Sequence, residues 1–161
     1  MNSHRLYRGE NRMISDERLR EFAAGRKLLL IEDNEINALI AENQLKSVGF
    51  EVEWVTDGQQ GVKMYMDSPS NHFSCIITDL MMPVMDGVET AKHVRQSGRD
   101  DAGIPILAIT ANSYAGKDAE YKESGIAECI TKPYKKQELL EWVYTNVSEY
   151  EGIDVSGNEE N

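Results

Sequence analysis

Five residues of this sequence carry ionisable or hydroxyl side chains at a telling place, each directly after a short apolar run. Glu32 and Asp33 follow Leu28-Leu29-Leu30-Ile31, and Asp79 closes Cys75-Ile76-Ile77-Thr78. Thr110 follows Ile106-Leu107-Ala108-Ile109, and Lys132 follows Ile130-Thr131. Three carboxylates brought together repel one another, so either their pKa values rise or a cation compensates them. Hard oxygen ligands with room for water suit Mg²⁺. An aspartate carboxylate can attack a phosphoryl group and carry it as an aspartyl phosphate, and a metal beside it stabilises the arriving charge. Lys132 supplies a mobile positive charge and Thr110 a hydroxyl donor. Phosphoryl transfer needs mainly positioning and charge stabilisation, which this set provides.

Each residue also has a plainer role. Asp33 or Asn34 can cap the helix that follows. Thr110 can simply end a strand, and Lys132 can precede a turn. Asp79 has no capping role, because Asp86 opens the next helix. The joint occurrence outweighs the plainer roles.

The elements that would bring these residues together alternate along the chain. The apolar run from Lys27 to Ile31 suits a strand buried on both faces. Ile36, Leu39, Ile40, Leu45 and Val48 follow a helical period until Gly49. Phe50 to Val55 alternates as a second strand. Asp57 with Gln60, and Asp86 with Glu89, have capping-box spacing and open two further helices, the second running to about Ser97. Pro69 marks a loop. Phe73 to Thr78 is a third strand and Ile104 to Ile109 a fourth, with Pro105 tolerated at its start. Asn112 can cap a polar helix ending near Gly125, Ile126 to Thr131 is a fifth strand, and Leu139, Leu140, Val143 and Val147 stripe a last helix. Such alternation predicts an α/β fold with a parallel sheet covered on both faces. Ligands of such sheets bind beyond the carboxyl ends of the strands, where all five residues stand.

The 161 residues suggest one ordinary domain with tails. Seventeen basic residues against 28 acidic ones give a net charge of −11. That balance argues against nucleic acid and anionic lipid as partners. No apolar run reaches the roughly 20 residues of a membrane span, and no secretory signal is visible, so a cytoplasmic protein without direct membrane insertion is expected. Cys75 and Cys129 read as reduced core thiols, although one bridge between them stays open. Residues 1–26 form a linker with a short helix over about 16–24. Ser15 caps that helix, Gly25 ends it, and Ile14 and Leu19 sit at staple positions. It is too short to stand alone and must dock on something. Residues 27–147 form the domain. Residues 148–161, with five acids and no base, read as a disordered tail.

Four motifs at strand ends carry a resemblance. Glu32-Asp33-Asn34, Asp79-Leu80-Met81-Met82-Pro83-Val84-Met85-Asp86-Gly87, Ile109-Thr110-Ala111-Asn112 and Thr131-Lys132-Pro133 together resemble the receiver domain of two-component response regulators. The resemblance covers about residues 27–147. It implies a (βα)5 flavodoxin-like, doubly wound parallel sheet with strand order 2-1-3-4-5. It implies that Asp79 accepts phosphate from a phosphohistidine. It also implies that Asp33, Asp79 and the Met81 backbone carbonyl bind Mg²⁺, with Glu32 assisting through water. Thr110, Ala111 and Lys132 would bind the phosphoryl group and switch, and the Lys132-Pro133 bond would be cis.

Two positions depart from the family pattern. Cys129 stands where many receivers carry an aromatic switch residue. A small thiol cannot gate a cavity as a ring does, so output is expected through loop movement around Thr110 and Ala111. Lys135 and Lys136 begin the last helix, where cations are unfavourable.

The implied function is phosphoryl relay, with a histidine kinase domain or a histidine phosphotransfer protein as partner. Glu32-Asp33-Asn34-Glu35-Ile36-Asn37 resembles receivers at the C-terminus of hybrid sensor histidine kinases, and no DNA-binding or catalytic segment is expected after Val147. The alternatives are a free-standing single-domain regulator, a receiver that serves only for docking, and a Mg²⁺-dependent aspartyl-phosphate phosphohydrolase. Haloacid-dehalogenase-like enzymes need an acid two residues after the nucleophile, where this chain has Met81.

Overall fold

Strand and helix alternate as the apolar periodicity predicts. The computed structural model describes residues 14–111 and 117–153. In chain order they form α1 (Asp16–Ala23), β1 (Lys27–Ile31), α2 (Glu35–Lys46), β2 (Glu51–Val55), α3 (Gly58–Asp67) and β3 (Cys75–Asp79). These are followed by α4 (Gly87–Arg95), β4 (Ile106–Thr110), α5 (Asp118–Ser124), β5 (Glu128–Thr131) and α6 (Lys136–Glu151). All strand pairs are parallel and the order is β2-β1-β3-β4-β5, the doubly wound flavodoxin-like arrangement.

Side chains of successive strand residues point to opposite faces, so the sheet builds two cores. Leu28, Leu30, Cys75, Ile77, Leu107 and Ile109 pack against α2 and α6. Leu29, Ile31, Ile76, Ile106 and Ala108 pack against Tyr65 of α3 and Ala91 and Val94 of α4. Cys75 belongs to the first face and Cys129 packs on the second. The sheet between them excludes a mutual disulfide. Cys75 is fully buried, whereas Cys129 is only half-buried, less than a core thiol would be.

Side-chain caps start α2, α3 and α4. Asn34 Oδ1 accepts from the Asn37 amide at 2.9 Å, Asp57 Oδ1 from Gln60 at 2.8 Å and Asp86 Oδ1 from Glu89 at 2.9 Å. The Asp57 cap is not a full capping box, because Gln60 Nε2 donates to Asp57 Oδ2 and Thr56 Oγ1 instead of its side chain accepting. At α6 the opposite half forms: the Lys135 amide donates to Glu138 Oε1 at 3.2 Å. An ammonium has no lone pair with which to return the bond.

Two boundaries differ from expectation by more than two residues. The helix expected from Asn112 begins at Asp118, after Lys117, and Asn112 itself lies outside the described residues. The last helix continues past Val147 to Glu151, so residues 148–151 belong to it and not to a tail. Ser148 is fully buried, and Gly152 at φ 75° ends the helix in the left-handed region that glycine tolerates. Residues 1–13 of the linker and 154–161 of the expected disordered tail lie outside the described residues.

The short N-terminal helix docks on the domain. Ser15 Oγ accepts from the Arg18 amide at 3.1 Å and caps it. Leu19 and Ala23 are fully buried in the core cluster of α2 and α6. The Phe22 ring meets Tyr144 edge-on with centroids 4.8 Å apart. Polar contacts follow the whole length of α6. The Ile14 amide donates to Glu141 Oε2 at 3.2 Å, Arg18 Nε to the Tyr144 hydroxyl at 3.0 Å, and Arg26 to both oxygens of Glu151 at 2.7 and 2.8 Å. α1 therefore runs parallel to α6.

Candidate functional site

The parallel sheet ends on one edge, and its register sets the site. Ile31 pairs with Thr78 and Thr110 with Thr131, so the residues at or just after these strand ends are neighbours. Glu32, Asp33 and Asp79 each offer a carboxylate oxygen within 4.8 Å of the others. Lys132 Nζ lies 3.9 Å from Glu32 Oε1 and 3.9 Å from Asp79 Oδ2. At that distance it acts through charge and not through a hydrogen bond.

The ambiguity between Asp33 and Asn34 is resolved by the cap. Asn34 takes the N-cap of α2, which leaves the Asp33 carboxylate to the cluster. Glu32 is buried, and its Oε2 accepts from the Asn34 amide at 3.1 Å. Asp79 Oδ1 accepts from the Met81 amide at 3.2 Å. Met81 is exposed, and Met82 packs against the second core.

Burial pushes the Glu32 carboxyl up to about 7, and Asp79 and Asp33 push the same way against the Asn34 amide and Lys132. Burial also raises Asp79, with Asp33 adding to it and Lys132 and the Met81 amide opposing. Two acids held above their ordinary range beside a third make a site short of positive charge. The donor set is all carboxylate, which fits a hard divalent cation.

Thr110 ends β4, is buried, and its carbonyl accepts from the Lys132 amide at 2.8 Å. Ala111 follows it, exposed. The Lys132-Pro133 peptide is cis. Cys129 stands two strand residues before Thr131 at this edge, paired with Ala108.

Two contributors escape sequence reasoning. Gly87 opens α4 directly beneath Asp79, where a Cβ would fall 2.8 Å from the Asp79 main-chain oxygen. Its place in the motif was visible, but the reason for a glycine was not. Trp54 of β2 reaches past the end of β1 and donates from Nε1 to the Glu32 carbonyl at 2.8 Å. Strand alternation placed Trp54 on a face but gave no sign of that bond.

The two histidines among the described residues stand apart from this edge or on the surface. His93 is exposed on α4, and His72 lies 3.6 Å from Glu53.

Comparison with known proteins points the same way. The family model for the response regulator receiver domain matches residues 28–144. The hybrid signal transduction histidine kinase I of Dictyostelium discoideum is 32% identical over 127 residues, covering 77% of this chain and 7% of that protein. The autoinducer 2 sensor kinase/phosphatase LuxQ of Vibrio vulnificus is 35% identical over 118 residues, covering 73% of this chain and 13% of that protein. The chain thus spans a small part of these relatives. Among solved structures, the receiver domain of a sensor histidine kinase from Pseudomonas aeruginosa PAO1 superposes with a TM-score of 0.69 at 30% identity. That likeness covers 78% of this chain and 99% of that domain, whose active-site cleft coordinates a magnesium ion. The chain belongs to the response regulator receiver domains of two-component systems.

Proposed function

We propose that Asp79 is the phosphoacceptor of this receiver and that Glu32, Asp33 and Asp79 hold Mg²⁺. The observation that carries the reading is the set of three carboxylates within 4.8 Å of one another, faced by Lys132 at 3.9 Å. Asp33 and Asp79 serve as direct ligands together with the Met81 carbonyl, and Glu32 acts through water. When bound, the cation supplies charge stabilisation to phosphoryl oxygens at this edge.

This chain's own residues do the rest. A carboxylate oxygen of Asp79 attacks the phosphorus of a phosphohistidine. The P–N bond breaks and its electron pair leaves with the imidazole. Lys132, Thr110 and the Ala111 backbone hold the phosphoryl oxygens as charge builds. The phosphorylated side chain gains roughly one further negative charge, by analogy with other phosphorylated residues. Lys132 and Thr110 then share a new partner, which biases the edge around them.

The partner is a histidine-bearing helix of a kinase or phosphotransfer domain. Ile36, Leu39 and Ile40 support this, because they stand exposed at 67%, 47% and 49% on the first turns of α2, directly after Asp33 and Asn34. Their i, i+3, i+4 spacing suits helix-on-helix docking. The likeness to hybrid kinases supports a receiver that belongs to such a kinase and works in the cytoplasm. Among the described residues no helix is long and apolar enough to cross a membrane.

The test is labelling with acetyl phosphate and Mg²⁺. The unaltered chain should take up one phosphoryl group, and Asp79→Asn should take up none. Stoichiometric labelling of Asp79→Asn would sink the assignment.

A further inference from the structure

We propose that Trp54 is a positioning residue for the acid pair Glu32 and Asp33, acting through its indole N–H on the Glu32 carbonyl. The proposal rests on the reading of this edge as a Mg²⁺ site and adds a residue to it.

The ladder between β1 and β2 ends at the pair Ile31 and Val55. One residue further, both main-chain groups of Glu32 are still tied to β2. Its amide donates to the Val55 carbonyl at 3.1 Å. Its carbonyl cannot continue the ladder and receives Trp54 Nε1 at 2.8 Å instead. The indole thus replaces a strand hydrogen bond where the strand has stopped.

That bond fixes the peptide plane joining Glu32 to Asp33. On one side of the plane lies the Glu32 carboxylate, locked by the Asn34 amide at 3.1 Å. On the other lies Asp33, whose following residue is pinned as the cap of α2. With the plane held, the two carboxylates keep a fixed offset and both reach the oxygens of Asp79. Without it, the turn between β1 and α2 rests on the caps alone. Trp54 is half-buried and packs on the same core as Val52, its neighbour on that face of β2. Its hydrogen bond goes to the Glu32 main-chain oxygen and not to a carboxylate, so its influence passes through the backbone.

The test compares three altered chains with the unaltered protein. Trp54→Phe keeps a ring and loses the donor. A chain carrying 3-benzothienylalanine at position 54 keeps the bicyclic shape and loses only the N–H. Val52→Ala weakens the same packing without touching Glu32. Mg²⁺ alone is titrated and followed by backbone amide shifts of Asn34 and Met81. Amide exchange of Asn34 is measured in metal-free protein, and Tm in all four chains. Both chains lacking the donor should show a Mg²⁺ Kd raised about tenfold, as for lost supports of metal ligands. Both should also show faster Asn34 exchange without metal. Val52→Ala should lower Tm and leave both readouts in place.

An unchanged Kd and exchange rate in the two donor-free chains would overturn the proposal. So would an equal rise of Kd in Val52→Ala, which would make the effect one of packing. If the unaltered chain fails to bind Mg²⁺, this proposal and the proposed function fall together. If it binds and only the Trp54 effect is missing, the proposed function stands.

Discussion

Gly87 packs so tightly beneath Asp79 that a Cβ would lie 2.8 Å from the Asp79 main-chain oxygen and 3.1 Å from the Leu80 Cα. Both obstacles are backbone, so neither can swing aside. The Gly87 amide also donates to the Leu80 carbonyl at 3.0 Å, closing the loop over Asp79. Gly87→Ala should therefore move Asp79 itself. We expect a loss of about 1–3 kcal/mol from overpacking and slower acetyl phosphate labelling at temperatures where the variant is fully folded. Unfolding by urea and labelling kinetics separate the two effects.

Lys132 faces Glu32 and Asp79 at 3.9 Å from each. Lys132→Ala should let both carboxyls rise further, because an opposing positive charge is gone. Labelling at saturating Mg²⁺ should slow by about 100-fold, the scale of losing one preorganised charge partner. Carboxyl titration by NMR reads the first effect and labelling rates the second.

The raised Glu32 carboxyl makes stability depend on pH in a set direction. Burial pushes this group up to about 7 in the folded chain, against about 4.3 in the unfolded chain. Between those values the folded state holds a proton that the unfolded state has lost. Stability is then greatest below the window and falls as pH rises through it. Asp79 is raised as well and adds to the same slope. Mg²⁺ should bind more tightly as pH rises through the window, since the proton competes for the same oxygens. Thermal unfolding from about pH 4.5 to 8, with and without Mg²⁺, should show the slope and its flattening by metal.

The docked helix α1 should contribute to folding like any core element. Leu19 is fully buried between α1 and the first core. Leu19→Ala should cost about 3 kcal/mol and lower Tm by about 10 °C. Glu21→Ala, at an exposed position of the same helix, should stay within about 0.5 kcal/mol. Equal, negligible effects at both positions would mean that α1 does not hold to the domain in solution.

Strand ends were easy to read because the chain changes chemistry abruptly there. Ile31 gives way to Glu32 and Thr78 to Asp79, and a parallel sheet brings all such ends to one edge. Which of Asp33 and Asn34 would cap α2 was not readable, since both side chains present an acceptor at the same reach. The structure assigns the cap to Asn34 and frees Asp33. The short helix carrying Leu19 could be seen to need a docking surface, but shortness does not name what covers it. The partner proved to be α6, more than 110 residues away in sequence, through Tyr144 and Glu151. The end of α6 was misread because Ser148 and Glu149 are polar. Burial of Ser148 against the core overrides composition there. Trp54 marks a different limit: its bond to Glu32 depends on where one strand stops beside another.

The direction of α1 decides how this domain can be joined to others. β1 begins at the edge opposite the acidic cluster, yet α1 carries the chain back along α6 to Ile14, beside Glu141 and Gln137 in the first turns of that helix. The described chain therefore starts beside the first turns of α6, the end of that helix nearer Lys132 and Pro133. A protein fused after Gly152 emerges at the far end of α6, whose 16 residues span roughly 24 Å. If Asp79 is the phosphoacceptor, a phosphohistidine tethered ahead of α1 starts from the Lys132 end of α6, whereas one tethered behind must first cross the height of the sheet.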